Sequence, residues 1–116
     1  MDKDKYYDSG KQKLISEDYE EAIADLSKAI EFNPTDERAF VLRADSKLNL
    51  AIDNDEDDLF VDALLDYKKA LELGSITAEV KLDNIEESLR ENAKSDSKEA
   101  KESAKILKEH FDIDIY

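Results

Sequence analysis

One set of apolar spacings occurs twice in this chain of 116 residues and limits the folds that the chain can adopt. Between Asp18 and Pro34 the apolar residues recur at intervals of three and four residues, which is the spacing of one helix face. The same face returns 41 residues later. The two sets are Tyr19, Ala22, Ile23, Leu26, Ala29 and Ile30, and then Phe60, Ala63, Leu64, Tyr67, Ala70 and Leu71. The chain is therefore predicted to be built by repetition of a helical unit, with Tyr19, Phe60 and Tyr67 in its core.

The first of these units is predicted to be a pair of antiparallel helices. Its first helix runs from about Lys3 to Ile15, and a very short turn leads to the second helix, from Asp18 to Phe32. We expect Asp18 to cap the second helix, with Glu21 as the return partner. Gly10 lies inside the first helix, where glycine costs about 1 kcal/mol relative to alanine. We therefore expect another helix to approach closely at Gly10.

The second unit repeats the first with an insertion. A third helix begins near Thr35 or Asp36, and its Phe40, Ala44 and Leu48 match Tyr6, Gly10 and Leu14 at an offset of 34 residues. The fourth helix matches the second at an offset of 41, so seven residues are inserted between Leu48 and Phe60. The inserted stretch is predicted to extend the third helix through Ala51 and Ile52 and then to form an acidic loop from Asp53 to Asp58.

Further residues of the two hairpins follow the spacing of a known repeat. The first hairpin reads Tyr6-x2-Ser9-Gly10-x2-Lys13, then Ala22-x3-Leu26, then Pro34. The second reads Phe40-x2-Arg43-Ala44-x2-Lys47, then Ala63-x3-Tyr67, with Ser75 in place of the proline. Both resemble the tetratricopeptide repeat (TPR), a helix-turn-helix unit of about 34 residues with the pattern W-x2-L-G-x2-Y, A-x3-F and P. The residues that depart from this pattern are Ser9, Lys13, Arg43 and Ser75.

The resemblance implies an all-α fold in which antiparallel helix-turn-helix repeats stack as a short right-handed solenoid with a C-terminal capping helix. One domain would span residues 1–116, with repeat 1 at about 3–36, repeat 2 at about 37–75 and an acidic insertion near 49–58. A partial third repeat and the capping helix would occupy about 77–111. Gly74 is predicted to end the fourth helix. The fifth helix, from about Thr77 to Glu91, carries Val80, Leu82, Ile85 and Leu89.

The sixth helix is predicted to cap the array. Asp96, with Glu99 three residues later, would open it. Its apolar stripe is narrow and consists of Ala100, Ala104, Leu107 and Phe111, which suits the polar outer face of a terminal helix. The tail of residues 112–116 alternates acidic and apolar residues, and either docks as an extended segment or frays.

The formal net charge of −14 narrows the class of partner. Such a charge repels nucleic acid phosphates and anionic lipid, so neither nucleic acid nor membrane is expected, and a neutral or basic peptide is favoured. The alternative is that the charge only keeps the protein soluble. No cysteine is present, which excludes disulfides and thiolate metal sites. Without an apolar run of membrane-spanning length or the h-region of a signal peptide, we expect a cytoplasmic protein.

The TPR resemblance also implies a binding surface, because the first helix of each pair lines the concave side where peptides bind. The positions carried over are Tyr7, Lys11, Leu14, Arg38, Val41, Asp45 and Leu48, with Leu82 and Glu86 from the partial third repeat. One TPR subclass holds a chaperone's C-terminal carboxylate with a lysine three residues before the glycine and an asparagine just after it. Tyr7 and Lys11 stand at these positions, and Leu42 stands at the second-repeat asparagine position. Recognition of a chaperone tail is therefore not expected.

Few residues point to chemistry. Asp53, Asp55 and Asp57 match the first three ligand positions of an EF-hand loop, but Asp58 stands where glycine is needed and Leu64 where the bidentate glutamate belongs. His110 is the single histidine, and no motif ties a nucleophile to it. We therefore expect no enzyme activity, no cofactor and no dedicated metal site.

The sequence thus predicts a non-catalytic module that binds a protein or peptide segment. Two alternatives stay open. The protein could be a structural one that associates with itself through the last helix and the tail, or a weak calcium-responsive module that uses the acidic loop.

Overall fold

The computed structural model of the protein describes residues 2–94 and 97–112. Within these residues the chain forms six α-helices and no strand, which confirms the predicted all-α class. None of the described helices is long and apolar enough to cross a membrane. The helices are α1 (Asp2–Ile15), α2 (Tyr19–Phe32), α3 (Glu37–Asn54), α4 (Asp57–Glu72), α5 (Ile76–Asn92) and α6 (Lys98–Phe111).

The contacts divide the chain into two units, Met1–Glu79 and Val80–Tyr116. The first unit contains α1 to α4, and α5 begins in the first unit and ends in the second. The second unit buries apolar residues on both of its helical segments, namely Leu82, Leu89, Ala100, Ala104 and Leu107. The single domain over residues 1–116 stays a prediction.

In the first unit, α1 packs against α2, α3 against α4, and α2 against α3. The side chains that meet across the first pair show its direction. Ser9 donates a hydrogen bond to Asp25 at 2.6 Å, and Lys13 forms an ion pair with Glu21 at 2.9 Å. The residue number rises along α1 while it falls along α2, so the two helices are antiparallel, as predicted from their short connection.

Gly10 is the point of closest approach that the sequence predicts. A Cβ atom added at Gly10 would lie 2.6 Å from Cγ and 2.9 Å from Cδ2 of Leu26, and 3.4 Å from the carbonyl oxygen of Ala22. Leu26 and Ala22 are both fully buried. Glycine is therefore required because α2 occupies the space that any side chain at this position would fill.

Three of the four residues that depart from the TPR pattern, together with Lys47, form similar polar contacts in the two hairpins. In the first hairpin Ser9 and Lys13 both approach Asp25 on α2. In the second, Arg43 and Lys47 occupy the equivalent positions and pair with Asp66 on α4, at 2.8 and 2.9 Å. The carboxylate of Asp66 is nearly buried, and both of its oxygens accept from Arg43. A polar cluster therefore recurs inside each hairpin at the spacings of the apolar repeat.

The repeated apolar faces form most of the predicted core. Ala22, Leu26 and Ala29 are buried on α2, as are Ala63, Leu64, Tyr67 and Ala70 on α4. The hydroxyl of Tyr67 donates a hydrogen bond to the carboxylate of Asp45, which satisfies the one polar group of this side chain. Tyr19 and Phe60 are only half-buried, and Leu71 is exposed, so both ends of each predicted stripe lie closer to solvent than its centre.

The seven-residue insertion does not form the predicted loop. α3 has 18 residues and α4 has 16, compared with 14 in α1 and 14 in α2. Only Asp55, in the left-handed conformation, and Glu56 connect the two helices. Seven residues are close to two helical turns, so they lengthen both helices while the packed faces stay in phase. The acidic loop from Asp53 to Asp58 is thus wrong, because Asp53, Asp57 and Asp58 are helical.

Two predicted helix starts also differ in detail. Asp18 precedes α2 but its side chain makes no capping hydrogen bond, and Glu21 pairs with Lys13 instead of returning to the cap. α6 is capped by Ser97, whose hydroxyl oxygen accepts from the backbone N–H of Ala100 at 3.1 Å. The predicted cap Asp96 and the tail residues 113–116 lie outside the described residues.

Candidate functional site

A groove of about 380 Å³ lies in the first unit between α1, α3 and the start of α5. Tyr7 of α1 forms one wall, and the first two turns of α3 form another. The turn that leads into α5 closes the groove. Its lining residues are Tyr7, Glu37, Arg38, Val41, Leu42, Gly74, Ser75, Ile76 and Thr77. This mixture of apolar side chains with a few polar groups is typical of binding pockets.

The wall at Tyr7 is fixed by a cation held over its ring. The guanidinium of Arg38 lies 4.4 Å from the centre of the Tyr7 ring, within the range of a cation–π interaction. The two oxygens of Asp36 accept from Nε and Nη2 of Arg38, both at 3.0 Å. Asp36 also caps α3, since its carboxylate accepts from the backbone N–H of Arg38 at 3.1 Å. The local sequence Asp-Glu-Arg thus starts the helix and orients the arginine at the same time.

The charges around Tyr7 follow from this arrangement. Burial raises the pKa of the Tyr7 phenol; the charge of Arg38 lowers this pKa, while the carboxylates of Asp36 and Asp8 raise it. The hydrogen bonds from Arg38 hold the pKa of Asp36 below its ordinary value, and those to Asp36 raise the pKa of Arg38. The pair therefore stays ionised at neutral pH.

The turn into α5 presents an apolar side chain to solvent. Gly74 has a φ of +98°, which ends α4 in a conformation that favours glycine. The hydroxyl oxygen of the buried Ser75 then accepts from the backbone N–H of Ala78 at 3.0 Å and caps α5. Ile76, the first residue of α5, lines the groove and is 77% exposed. A large aliphatic group is thereby held at the edge of the groove by a well-defined turn.

Three of the predicted groove residues come together here. Tyr7, Arg38 and Val41 line the groove, although Val41 is nearly buried and offers little surface. The other four predicted residues of α1 and α3 do not line it. Lys11 is exposed, Leu14 and Leu48 are half-buried, and Asp45 accepts the hydrogen bond from Tyr67.

The two predicted residues of α5 lie in the second unit. Leu82 is buried and does not line the groove. Glu86 is half-buried and forms an ion pair with Arg90 one turn later, at 3.8 Å.

The sequence prediction missed six of the nine lining residues, which are Glu37, Leu42, Gly74, Ser75, Ile76 and Thr77. Ile76 was missed because the fifth helix was expected to start at Thr77, one residue too late. The sequence contains two indications of this position. Ser75 is a good helix cap, so the helix can begin at residue 76. Ile76 stands six residues before Leu82 and therefore lies off the helix face that Leu82 shares with Leu89. An isoleucine off the buried face of a helix is expected to be exposed.

A second groove of about 400 Å³ lies at the other end of α3. Five of its eight lining residues are acidic, and Tyr19 and Leu50 are its apolar residues. The carboxylates are Glu17, Asp18, Glu20, Glu21 and Asp53. In the part of the chain that the structure describes, no three or more His, Asp or Glu side chains are grouped so that they could hold a metal ion. The calcium-responsive alternative therefore has no ligand set among the described residues.

Comparison of the chain with family models, with curated proteins and with solved structures found no match. The TPR resemblance therefore rests on the repeated residues of this chain alone.

Proposed function

We propose that this protein is a non-catalytic interaction module that binds a peptide or protein segment in the groove formed by Tyr7, α3 and the first turn of α5. The observation that carries the proposal is Ile76. A single exposed apolar residue needs no explanation, but this one stands at the edge of a groove whose other walls are Tyr7, Val41 and Leu42. An apolar side chain of a partner would cover Ile76 and fill this groove.

The proposal includes a TPR-like array of three hairpins. It is supported by positions on the first helix of each pair that recur at 34-residue intervals. The small residues are Gly10, Ala44 and Ala78, which are all buried, and the leucines are Leu14, Leu48 and Leu82. Lysines recur in the same way at Lys13, Lys47 and Lys81. A repeated set of small, aliphatic and basic positions is what stacked copies of one structural unit require.

The proposed partner is a protein segment with apolar anchors and a neutral or basic charge. The acidic chain disfavours nucleic acid and anionic membranes as partners. A cytoplasmic location belongs to the same proposal, and fractionation of the source cells would test it.

The experiment that tests the proposal is selection of peptides from a random phage-displayed library on the immobilised protein. Selected peptides should bind the wild type and lose binding to Ile76→Asp. This substitution removes the exposed apolar group and leaves the helix intact, because an acidic residue is favourable in the first turn of a helix. Circular dichroism should be unchanged in the variant.

The matched control is Ile52→Asp. Ile52 is 67% exposed, similar to Ile76, but it does not line the groove. Peptides selected on the wild type should bind Ile52→Asp normally. Equal binding to the wild type and to Ile76→Asp would show that the groove is not the binding surface.

A further inference from the structure

We infer that the segment bound in this groove carries a basic side chain next to its apolar anchor, and that Glu37 is the groove residue that selects the basic side chain. The inference rests on the proposed function, because it specifies the chemistry of the segment that the groove would bind. It goes further in assigning the charge preference to one residue of the groove rather than to the net charge of the whole protein.

The cation of the groove is already paired within the protein. Arg38 uses Nε and Nη2 to bind both oxygens of Asp36, and the face of its guanidinium lies on the Tyr7 ring. A bidentate pair of this kind is stronger than a single charged hydrogen bond. An acidic ligand would have to displace a carboxylate that is held two residues away on the same chain. Arg38 is therefore a wall that positions Tyr7, and it does not offer a free positive charge.

The carboxylate that lines the groove, in contrast, forms no ion pair with any described lysine or arginine. This carboxylate belongs to Glu37, which is half-buried. Asp8 and Asp4 on α1 are exposed and add negative charge near Tyr7 and Arg38. Of the nearby lysines on α1, Lys5 lies over the Tyr6 ring and Lys11 is exposed, and neither lines the groove. The groove therefore combines an apolar wall with a carboxylate that no described lysine or arginine neutralises.

The complement of this surface is an apolar side chain accompanied by a lysine or an arginine. Either basic side chain can place its methylene stem on apolar surface while its charged end reaches a carboxylate. A segment with a carboxylate at the same place would face Glu37, Asp4 and Asp8, which is unfavourable. The charge complementarity thus favours a basic segment over an acidic one.

The test uses three pools of fluorescein-labelled synthetic peptides. Each pool has one central leucine or phenylalanine and flanking positions randomised among alanine, serine and glutamine. One position beside the anchor is fixed as lysine in the first pool, glutamine in the second and glutamate in the third. Affinity for the full-length protein is measured by fluorescence anisotropy at low and at physiological ionic strength.

We expect the lysine pool to bind most tightly and the glutamate pool most weakly. Glu37→Gln should weaken binding of the lysine pool by roughly two- to five-fold, the range expected for a partly exposed ion pair, and leave the glutamine pool unchanged. Added salt should reduce the difference between the pools. Arg38→Gln should weaken all three pools by a similar factor, because it removes the group that holds Tyr7 in place.

The control for Glu37→Gln is Glu20→Gln in the second, acidic groove. If Glu20→Gln weakens the lysine pool and Glu37→Gln does not, the acidic groove reads the basic side chain and the inference is wrong. Tightest binding of the glutamate pool, with its loss in Arg38→Gln, would also overturn it. Equal binding of all three pools that is lost in Ile76→Asp overturns the inference alone and leaves the proposed function standing. If no pool binds better to the wild type than to Ile76→Asp, both fail.

Discussion

The substitution Gly10→Ala tests the closest helix contact of the protein. In an isolated helix, alanine in place of glycine is stabilising by about 1 kcal/mol. We expect the opposite sign here. The added Cβ would lie 2.6 Å from Cγ of Leu26, well inside the contact distance of two carbon atoms.

The size of the effect follows from which atom is struck. Cγ is the branch point of Leu26, so it moves only if the whole side chain rotates, and Leu26 is fully buried on a helix that also carries the neighbouring Ala22. Overpacking of a buried site costs about 1 to 3 kcal/mol. After subtraction of the gain in helix propensity, we expect Gly10→Ala to lower the free energy of unfolding by about 1 kcal/mol. For a protein of this size that corresponds to a fall in Tm of about 3 to 6 °C.

A double-mutant cycle with Leu26→Ala separates the two effects. Leu26→Ala alone should cost about 2 to 5 kcal/mol because it leaves a cavity. In that background the clash is gone, so Gly10→Ala should become stabilising by about 1 kcal/mol. The free energies are measured by urea unfolding, followed by circular dichroism at 222 nm.

The control is Ala24→Gly, at an exposed position of α2, which should cost about 1 kcal/mol from helix propensity alone. If Gly10→Ala instead stabilises the wild type by the amount that Ala24→Gly destabilises it, then α1 and α2 do not meet closely at Gly10. The register of the first hairpin would then be refuted.

Four further predictions concern the repeat and its polar groups. Substitution of a leucine for any of three fully buried alanines should cost about 1 to 3 kcal/mol in urea unfolding, whereas leucine at an exposed alanine should cost little; the three are Ala22, Ala63 and Ala100. Asp66→Ala should lower the free energy of unfolding by about 3 kcal/mol, because it leaves Arg43 and Lys47, which are largely buried, without their carboxylate. Asp25 is more exposed, so Asp25→Ala should cost about 1 kcal/mol or less. Burial, and then the charge of Asp45, raise the pKa of Tyr67 above its ordinary 10.0. The stability that this group contributes is therefore complete below pH 10 and falls by about 1.4 kcal/mol per pH unit above it. Free energies from urea unfolding between about pH 8 and about pH 11 should show this slope, and Tyr67→Phe should reduce it. Deletion of residues 53–57 should destabilise the protein, because it removes parts of both α3 and α4. Replacement of residues 49–59 by residues 15–18 of the first hairpin removes seven residues, which is close to two helical turns. That variant should keep a cooperative transition in thermal unfolding.

The helices could be predicted because apolar periodicity reports directly which face of a segment is buried. The predicted end of the first helix at Ile15 agrees with the structure, as do the end of the second at Phe32 and the glycine that follows α4. The close approach at Gly10 could be predicted as well, because a glycine inside a helix is unfavourable unless it is needed for packing.

The helical conformation of the acidic insertion could not be predicted, because its composition favours a loop whereas its length favours two continued helices. Aspartate is a poor helix former and is common in turns, so five acidic residues among the six from Asp53 to Asp58 indicate a loop. The length of seven residues, however, is almost two helical turns and allows both helices to continue. In the structure both helices continue into the insertion, and Ala51 in the added part of α3 is buried.

The candidate site could be predicted only in part. The TPR resemblance predicted three of the lining residues, because it transfers positions on the face of the first helix of each pair. These residues are Tyr7, Arg38 and Val41. Most of the remaining lining comes from residues 74–77, between α4 and the first turn of α5, and a transferred helix face carries no information about that turn. The pairing of Arg38 with Asp36 was not predicted either, because the groove positions were transferred one at a time, without regard to ion pairs within the chain. The structure shows that the charge of Arg38 is compensated by Asp36, so Arg38 positions Tyr7 and offers no free cation to a partner.

The buried positions of α2 and α4 recur at the same spacing on α6, although the residue types differ. On α2 the three buried residues and the aspartate of the polar cluster are Ala22, Asp25, Leu26 and Ala29, and on α4 the equivalent positions are Ala63, Asp66, Tyr67 and Ala70. The buried positions of α6 have the same spacing and are Ala100, Ser103, Ala104 and Leu107. The residue types of α6 do not indicate this relation, because Ser103 stands at the position of Asp66 and Ala104 at the position of Tyr67. Burial preserves the spacing, since a helix that packs along one face needs the same four positions whichever residues fill them. A small polar residue, Ser103, stands on α6 where Asp25 and Asp66 hold the polar clusters of the first two hairpins. On α5, Thr77 stands at the position of Ser9 and Arg43, while Lys81 keeps the position of Lys13 and Lys47. At this spacing α6 therefore lacks the carboxylate of the polar cluster, although α5 retains a lysine.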